Sequence, residues 1–182
     1  MKKFATITII LLICSMLLAE KAKIAILEFD KQDNNSGYIV KALAARDFNS
    51  ILKSSEEFEM TNPKQVKKAW QKTGASKIES MPISDRVKFG ESMEADVLLW
   101  GKVGNISGST FRIQAFALNI KTEEIKPFTF DVKKATDERI AVLKSELFAK
   151  LAEFLGNATD KIKEIAEQNF ISQNYENAEK SY

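Results

Sequence analysis

The chain has 182 residues, 45% of them hydrophobic and 29% charged, enough for one core of ordinary size and unlike a disordered or collagen-like composition. Its formal charge of +2 comes from Lys2 and Lys3 alone, so the remainder is neutral and no nucleic-acid partner is expected from net charge. Histidine is absent and Cys14 is the single cysteine, which excludes Ser/His/Asp and Cys/His arrangements, histidine acid–base work and the usual zinc and haem sites.

Met1-Lys2-Lys3 is a positive start, and Phe4 to Ala19 is an uncharged apolar run that stops at Glu20. The run is shorter than the roughly 20 residues a membrane-spanning helix needs, so it reads as a secretory signal over 1–19, cut between Ala19 and Glu20. Leu17, three residues before the cut, is less favourable there than Ala or Val. Two alternatives stay open: an uncleaved anchor, and a lipoprotein modified at Cys14 within Leu11-Leu12-Ile13-Cys14. Against the second stand Ile13, where a small residue is normal, and the apolar residues that follow the cysteine.

Lys23 to Phe29 is a short apolar run suited to a strand buried on both faces. After the polar turn Asp33-Asn34-Asn35-Ser36-Gly37, Ser36 is placed to cap a helix to about Lys53. Ile39, Leu43, Ala44, Phe48, Ile51 and Leu52 fall along one face of it. Phe58 to Thr61 is a brief strand. Asn62-Pro63 then opens a second helix that carries Val66, Ala69 and Trp70 and stops at Gly74. Residues 75–82 lack a period and read as loop. Ser84-Asp85 starts a third helix that ends near Ala95.

Asp96 to Val103 and Phe111 to Leu118 make a hairpin. Lys126 to Val132 alternates as a half-exposed strand, with Pro127 favouring a sheet edge. A long helical pattern runs from Thr136 to Gly156. The order βαβααβββα predicts an α/β domain over 21–156, a mixed sheet of about five strands covered by helices, with further helices at the C-terminus.

The run Ile24 to Phe29 directly after a signal, Phe58 to Thr61 before a helix, and above all Phe89 to Val103 carry a resemblance. In the last segment a helix, a small-residue–Asp corner, an apolar strand and a strand-end glycine follow one another. The chain resembles the TolB-like amino-terminal domain family of bacterial envelope proteins, with CsgG-type and LpoB-type lipoproteins as more distant relatives. That resemblance implies a non-enzymatic, cofactor-free module that contacts envelope proteins in the periplasm, with peripheral association at the outer membrane. It supplies no catalytic residues. The sequence departs from TolB in showing no propeller after the domain, and from CsgG in lacking a clear lipobox and long amphipathic strands. A helical tail over 158–182 is similar to the start of a tetratricopeptide repeat, with Tyr175, Ala178 and Tyr182 at the aromatic, small and aromatic positions and Gln173 where glycine is usual. An ordinary amphipathic helix pair gives the same stripe.

Candidate sites are few. Gly101-Lys102-Val103-Gly104-Asn105 lacks the spacing of a phosphate loop, and its glycines are expected to make a turn or bulge where the meander begins. Glu56-Glu57, Glu123-Glu124 and Asp137-Glu138 are adjacent acids that do not face each other, so the carboxylate-based enzyme they would need is the weakest alternative. Lys64, Lys67, Lys68 and Lys72 make a basic helix face. Trp70 shares that helix, so Trp70 with Lys64, Lys67 and Lys68 forms the expected interaction surface. Trp100 is expected in the core. The sheet edge near Pro127 is a second candidate, by strand addition. A lipid-anchored secretion or assembly factor using Cys14 is the alternative function.

Overall fold

The computed structural model describes residues 21–156. The leader with Cys14, Ala19 and Glu20, and the tail with its repeat-like positions, lie outside the described residues.

The described chain forms β1 (Ala22–Ile26), β2 (Asp30–Lys31), helix α1, β3 (Phe58–Met60), α2 (Pro63–Thr73), α3 (Ile83–Glu91), β4 (Val97–Ser107), β5 (Thr110–Asn119), β6 (Ile125–Lys133) and helix α4. Helix α1 joins Gly37–Ala42 and Phe48–Lys53 through a π-helical turn at Leu43–Asp47. Helix α4 runs from Thr136–Val142 through a π-helical turn at Leu143–Phe148 and on through 149–156. The six strands form one mixed sheet in the order β3-β1-β4-β5-β6, with β2 beside β4. β1 lies parallel to both β3 and β4, and β4, β5 and β6 form an antiparallel meander.

Alternation along the strands splits the core in two. Ile24, Leu99, Ile113 and Phe130 face α1 and α4, while Ala25, Leu98, Trp100 and Leu118 face α2 and α3. The result is three layers, helices on both faces of the sheet. Leu143, Leu147 and Leu151 of α4 have no exposed surface, and burying each stabilises the fold by about 1.5–3 kcal/mol. β6 is a sheet edge among the described residues, as Pro127 predicts, since β5 is the one strand of them that pairs with it.

Local signals account for α2. Asn62 Oδ1 accepts the Lys64 N–H at 3.0 Å, Pro63 occupies the first turn, and Gly74 ends the helix at φ 68°. Elsewhere the structure corrects the expectation. The run Lys23 to Phe29 is not one strand: β1 ends at Ile26, and the chain rejoins the sheet as β2, a pairing the sequence reading did not assign. The Ser36 hydroxyl does not cap α1; it donates to the Asp33 carbonyl at 2.9 Å. The organiser is Asp33, whose carboxylate accepts the N–H groups of Asn35, Ser36 and Asn105 at 2.8, 2.9 and 2.6 Å. Pro82 rather than Ser84 precedes α3, and α3 ends at Glu91 before a turn in which Glu94 takes φ 53°. The loop 75–82 contains a 3-10 turn, Ile78–Ser80, that buries Ile78.

Gly101 and Gly104 lie inside β4 and not in a turn. A Cβ on Gly101 would stand 2.4 Å from the Gln114 carbonyl oxygen and 2.5 Å from the Phe29 ring, so glycine there admits Phe29 against the strand. Two charged residues also lie in the apolar layer. Arg139 and Asp47 are both fully buried, joined by Arg139 Nε to Asp47 Oδ2 at 2.6 Å and Nη2 to Oδ1 at 3.3 Å. That pair ties α4 to α1, and Arg139 Nη1 further donates to the Lys134 carbonyl in the connection before α4.

Candidate docking groove

The sheet order reverses at β1. From β1 the chain passes through α1 on one face to β3, and from β3 through α2 and α3 on the other face to β4, which lies on the opposite side of β1. In open α/β sheets such a reversal leaves a crevice at the carboxyl ends of the strands. Here the crevice opens further because β3 stops at Met60 and the chain turns into α2 at Asn62-Pro63.

Beside it β1 leaves the sheet. The Leu27 N–H still donates to the Leu99 carbonyl at 2.9 Å, and the Gln32 N–H donates to the Val103 carbonyl at 2.8 Å. Between these points Glu28 and Phe29 belong to neither strand, and their main-chain N–H and C=O groups have no hydrogen-bond partner among the described residues. The Phe29 ring is buried against Phe48, with centroids 5.6 Å apart, which holds this segment in place.

Two adjoining hollows occupy the crevice. The larger, about 780 Å³, runs from Leu27–Lys31 past Tyr38 and Lys41 of α1 to Trp70, Trp100 and the Ser76–Glu79 segment. The smaller, about 310 Å³, is walled by Val40, Leu43, Ala44 and Phe48 of α1 and by Pro63, Val66, Lys67 and Trp70 of α2. Both share Leu27, Glu28, Phe29, Val40 and Trp70, so they form one groove along the β1–β2 connection. Its floor is apolar. Its α2 wall carries one charge, Lys67, out of the four lysines in Pro63–Thr73.

The structure thus brings Trp70 and Lys67 into one site, while Lys64 and Lys68 sit exposed on the same helix outside the groove lining. Trp70 is half-buried, edge-on to Phe89 at 5.7 Å, and presents part of its ring to both hollows. Trp100 is a core residue, stacked on Phe116 at 5.7 Å with the Arg86 guanidinium 5.6 Å from its ring. Its indole N–H has no hydrogen-bond partner among the described residues. The paired acids do not converge: Glu56 and Glu57 are exposed before β3, Glu123 takes φ 58° in the β5–β6 turn, and Asp137 and Glu138 lie in the first turn of α4, where they suit the helix dipole. Sequence reasoning missed Glu28 and Phe29 as free main chain and the α1 wall. Periodicity reports which side chains are buried and says nothing of which backbone groups lack a neighbour.

Asp33 fixes the turn after β2, whose Asn34 and Gly37 line the larger hollow. Its carboxyl lies below the ordinary aspartate range, first because the Asn105 N–H donates to it, then through Ser36 and Asn35, with desolvation opposing. On the sheet face left open beyond α2 and α3, Arg112 holds the Asp131 carboxyl low through two hydrogen bonds of 2.8 and 3.0 Å. No helix among the described residues is long and apolar enough to cross a membrane. No group of three or more acidic, His or Cys side chains among them is placed to hold a metal ion.

No family model matches the chain, and no curated protein matches it by sequence. Solved structures are similar to it. The LpoB C-terminal domain from Salmonella enterica is 17% identical with a TM-score of 0.44, over 66% of this chain and 91% of that one. Lipoprotein GNA1162 from Neisseria meningitidis is 13% identical with a TM-score of 0.45, over 76% and 96%. TolB from Acinetobacter baumannii is 16% identical with a TM-score of 0.39, over 66% of this chain and 25% of that one.

Proposed function

We propose that the chain is an exported, non-catalytic protein-recognition domain of the bacterial cell envelope, and that it receives a partner protein in the groove between α1 and α2. One observation carries the reading: an apolar, tryptophan-bearing groove lies beside main-chain groups that have no partner among the described residues. The charged leader and apolar run support export, and the absence of histidine and of any cysteine besides Cys14 favours binding over catalysis. The resemblance of Phe89 to Val103 to the TolB-like amino-terminal domain supports the envelope setting.

Crosslinking tests the groove. A photo-reactive residue at Lys67 is expected to trap an envelope protein in living cells that the same residue at Lys144, exposed on α4, does not. Adducts of equal yield from both positions, or none from Lys67, would sink the reading. Mass spectrometry of the processed amino terminus tests the export route: a free Glu20 is expected, whereas a diacylated Cys14 would make this a lipid-anchored assembly factor carrying the same groove.

A further inference from the structure

Resting on that reading of the groove, we propose that its occupant is an extended, acidic segment of the partner, added as a strand alongside Glu28 and Phe29. The slot lies in the layer of the sheet, between helices packed on its two faces. A longer β3 would fill it, but β3 pairs only as far as Ile24↔Met60, and Pro63 has no N–H to extend the ladder. Glu28, the exposed member of the pair, therefore offers a donor and an acceptor at the sheet's edge.

A docked helix satisfies its own backbone and leaves these groups as they are. A strand satisfies them while sending alternate side chains to opposite faces. Both faces are prepared. Toward α1 stand Val40 and Ala44, and toward α2 stand Val66 and Trp70, so successive residues of an added strand meet apolar ground on either side. Charge selects among such strands. The groove lining holds Lys31, Lys41, Lys67 and Lys77 against Glu28, Asp30 and Glu79, an excess of one positive charge, and Lys67 stands where α2 meets the slot, so the site favours a segment bearing Asp or Glu.

A random peptide library displayed on phage and panned against protein purified from cells expressing the full chain is the probe. Enriched peptides are expected to alternate apolar residues with others and to carry Asp or Glu. Binding of the leading synthetic peptide should slow amide exchange at Glu28, whose N–H faces the open edge. N-methylation of one alternate set of its amides should weaken it about tenfold while the other set is tolerated, because only one set faces the edge. Lys67→Glu should weaken it by about the same factor.

If the peptide needs Trp70 but tolerates both methylated sets equally, strand addition is wrong and the groove reading stands. If no peptide is enriched, or protection falls away from the groove, both fail. Slow exchange of Glu28 in the free chain would overturn strand addition as well, since the edge would already be covered.

Discussion

Arg139 and Asp47 show how much a single residue can hold. Both charges are fully out of water, and their pairing is sustained by the fork geometry of the guanidinium and by the extra bond to the Lys134 carbonyl. Removing Arg139 leaves the buried Asp47 with only the half-exposed Arg46 Nε beside it, at 3.2 Å, and removing Asp47 leaves the Arg139 guanidinium buried without its carboxylate. Arg139→Met is therefore expected to cost about 3–5 kcal/mol in urea unfolding, and Asp47→Leu added to it should return most of that loss. Neither residue stood out in the sequence, where the helical pattern from Thr136 to Gly156 is marked by its apolar positions alone. Asp33 acts at the same scale through charge. Its folded carboxyl is held below the ordinary value, so its contribution to stability is complete above the unfolded pKa of about 4 and fades as pH falls through the lower folded value. The melting temperature of Asp33→Ala should therefore lie below that of the wild type at neutral pH and converge with it under acid. A gap that stays constant down to pH 2 would refute the assignment.

Elements divide between those written in local chemistry and those that depend on what packs against them. Helix α2 was legible because an Asn cap, a first-turn Pro and a terminal Gly act within a few residues of themselves. The β1–β2 connection was not, since the run Lys23 to Phe29 is apolar throughout. The chain leaves the sheet there because Phe29 turns in against Phe48 and over Gly101. The glycine and the phenylalanine are about seventy residues apart in sequence, and no periodicity couples them. Gly101→Ala is expected to destabilise the protein by about 3 kcal/mol, at the upper end for overpacking, because the Gln114 carbonyl is backbone and cannot rotate aside. Phe29→Leu in the same chain should recover only the part due to the ring. Thermal unfolding of the single and double variants reads both.

Across the whole molecule, two cores share one sheet. Leu147 lies in the core under α1 and α4, and Val87 in the core under α2 and α3, with β1, β4 and β5 contributing to both. Leu147→Ala should cost about 2–5 kcal/mol and Val87→Ala less, each shifting one common unfolding transition. A second transition in either variant would show that the layers unfold independently. The groove is also a property at this scale. It exists because the chain winds to opposite sides of β1 and because β3 is short.

From the sequence alone came the α/β class, the order of the main elements, the edge position of Pro127, the core place of Trp100 and the cap and stop of α2. Each follows from side-chain period or from a cap and its neighbours, which are short-range effects. Tertiary structure alone decided that Trp70 and Lys67 share a groove with Glu28 and Phe29, that Arg139 meets Asp47, and that Gly101 makes room for Phe29. Those depend on which distant segments become neighbours and which backbone groups are left without one, and a linear pattern of polarity carries neither.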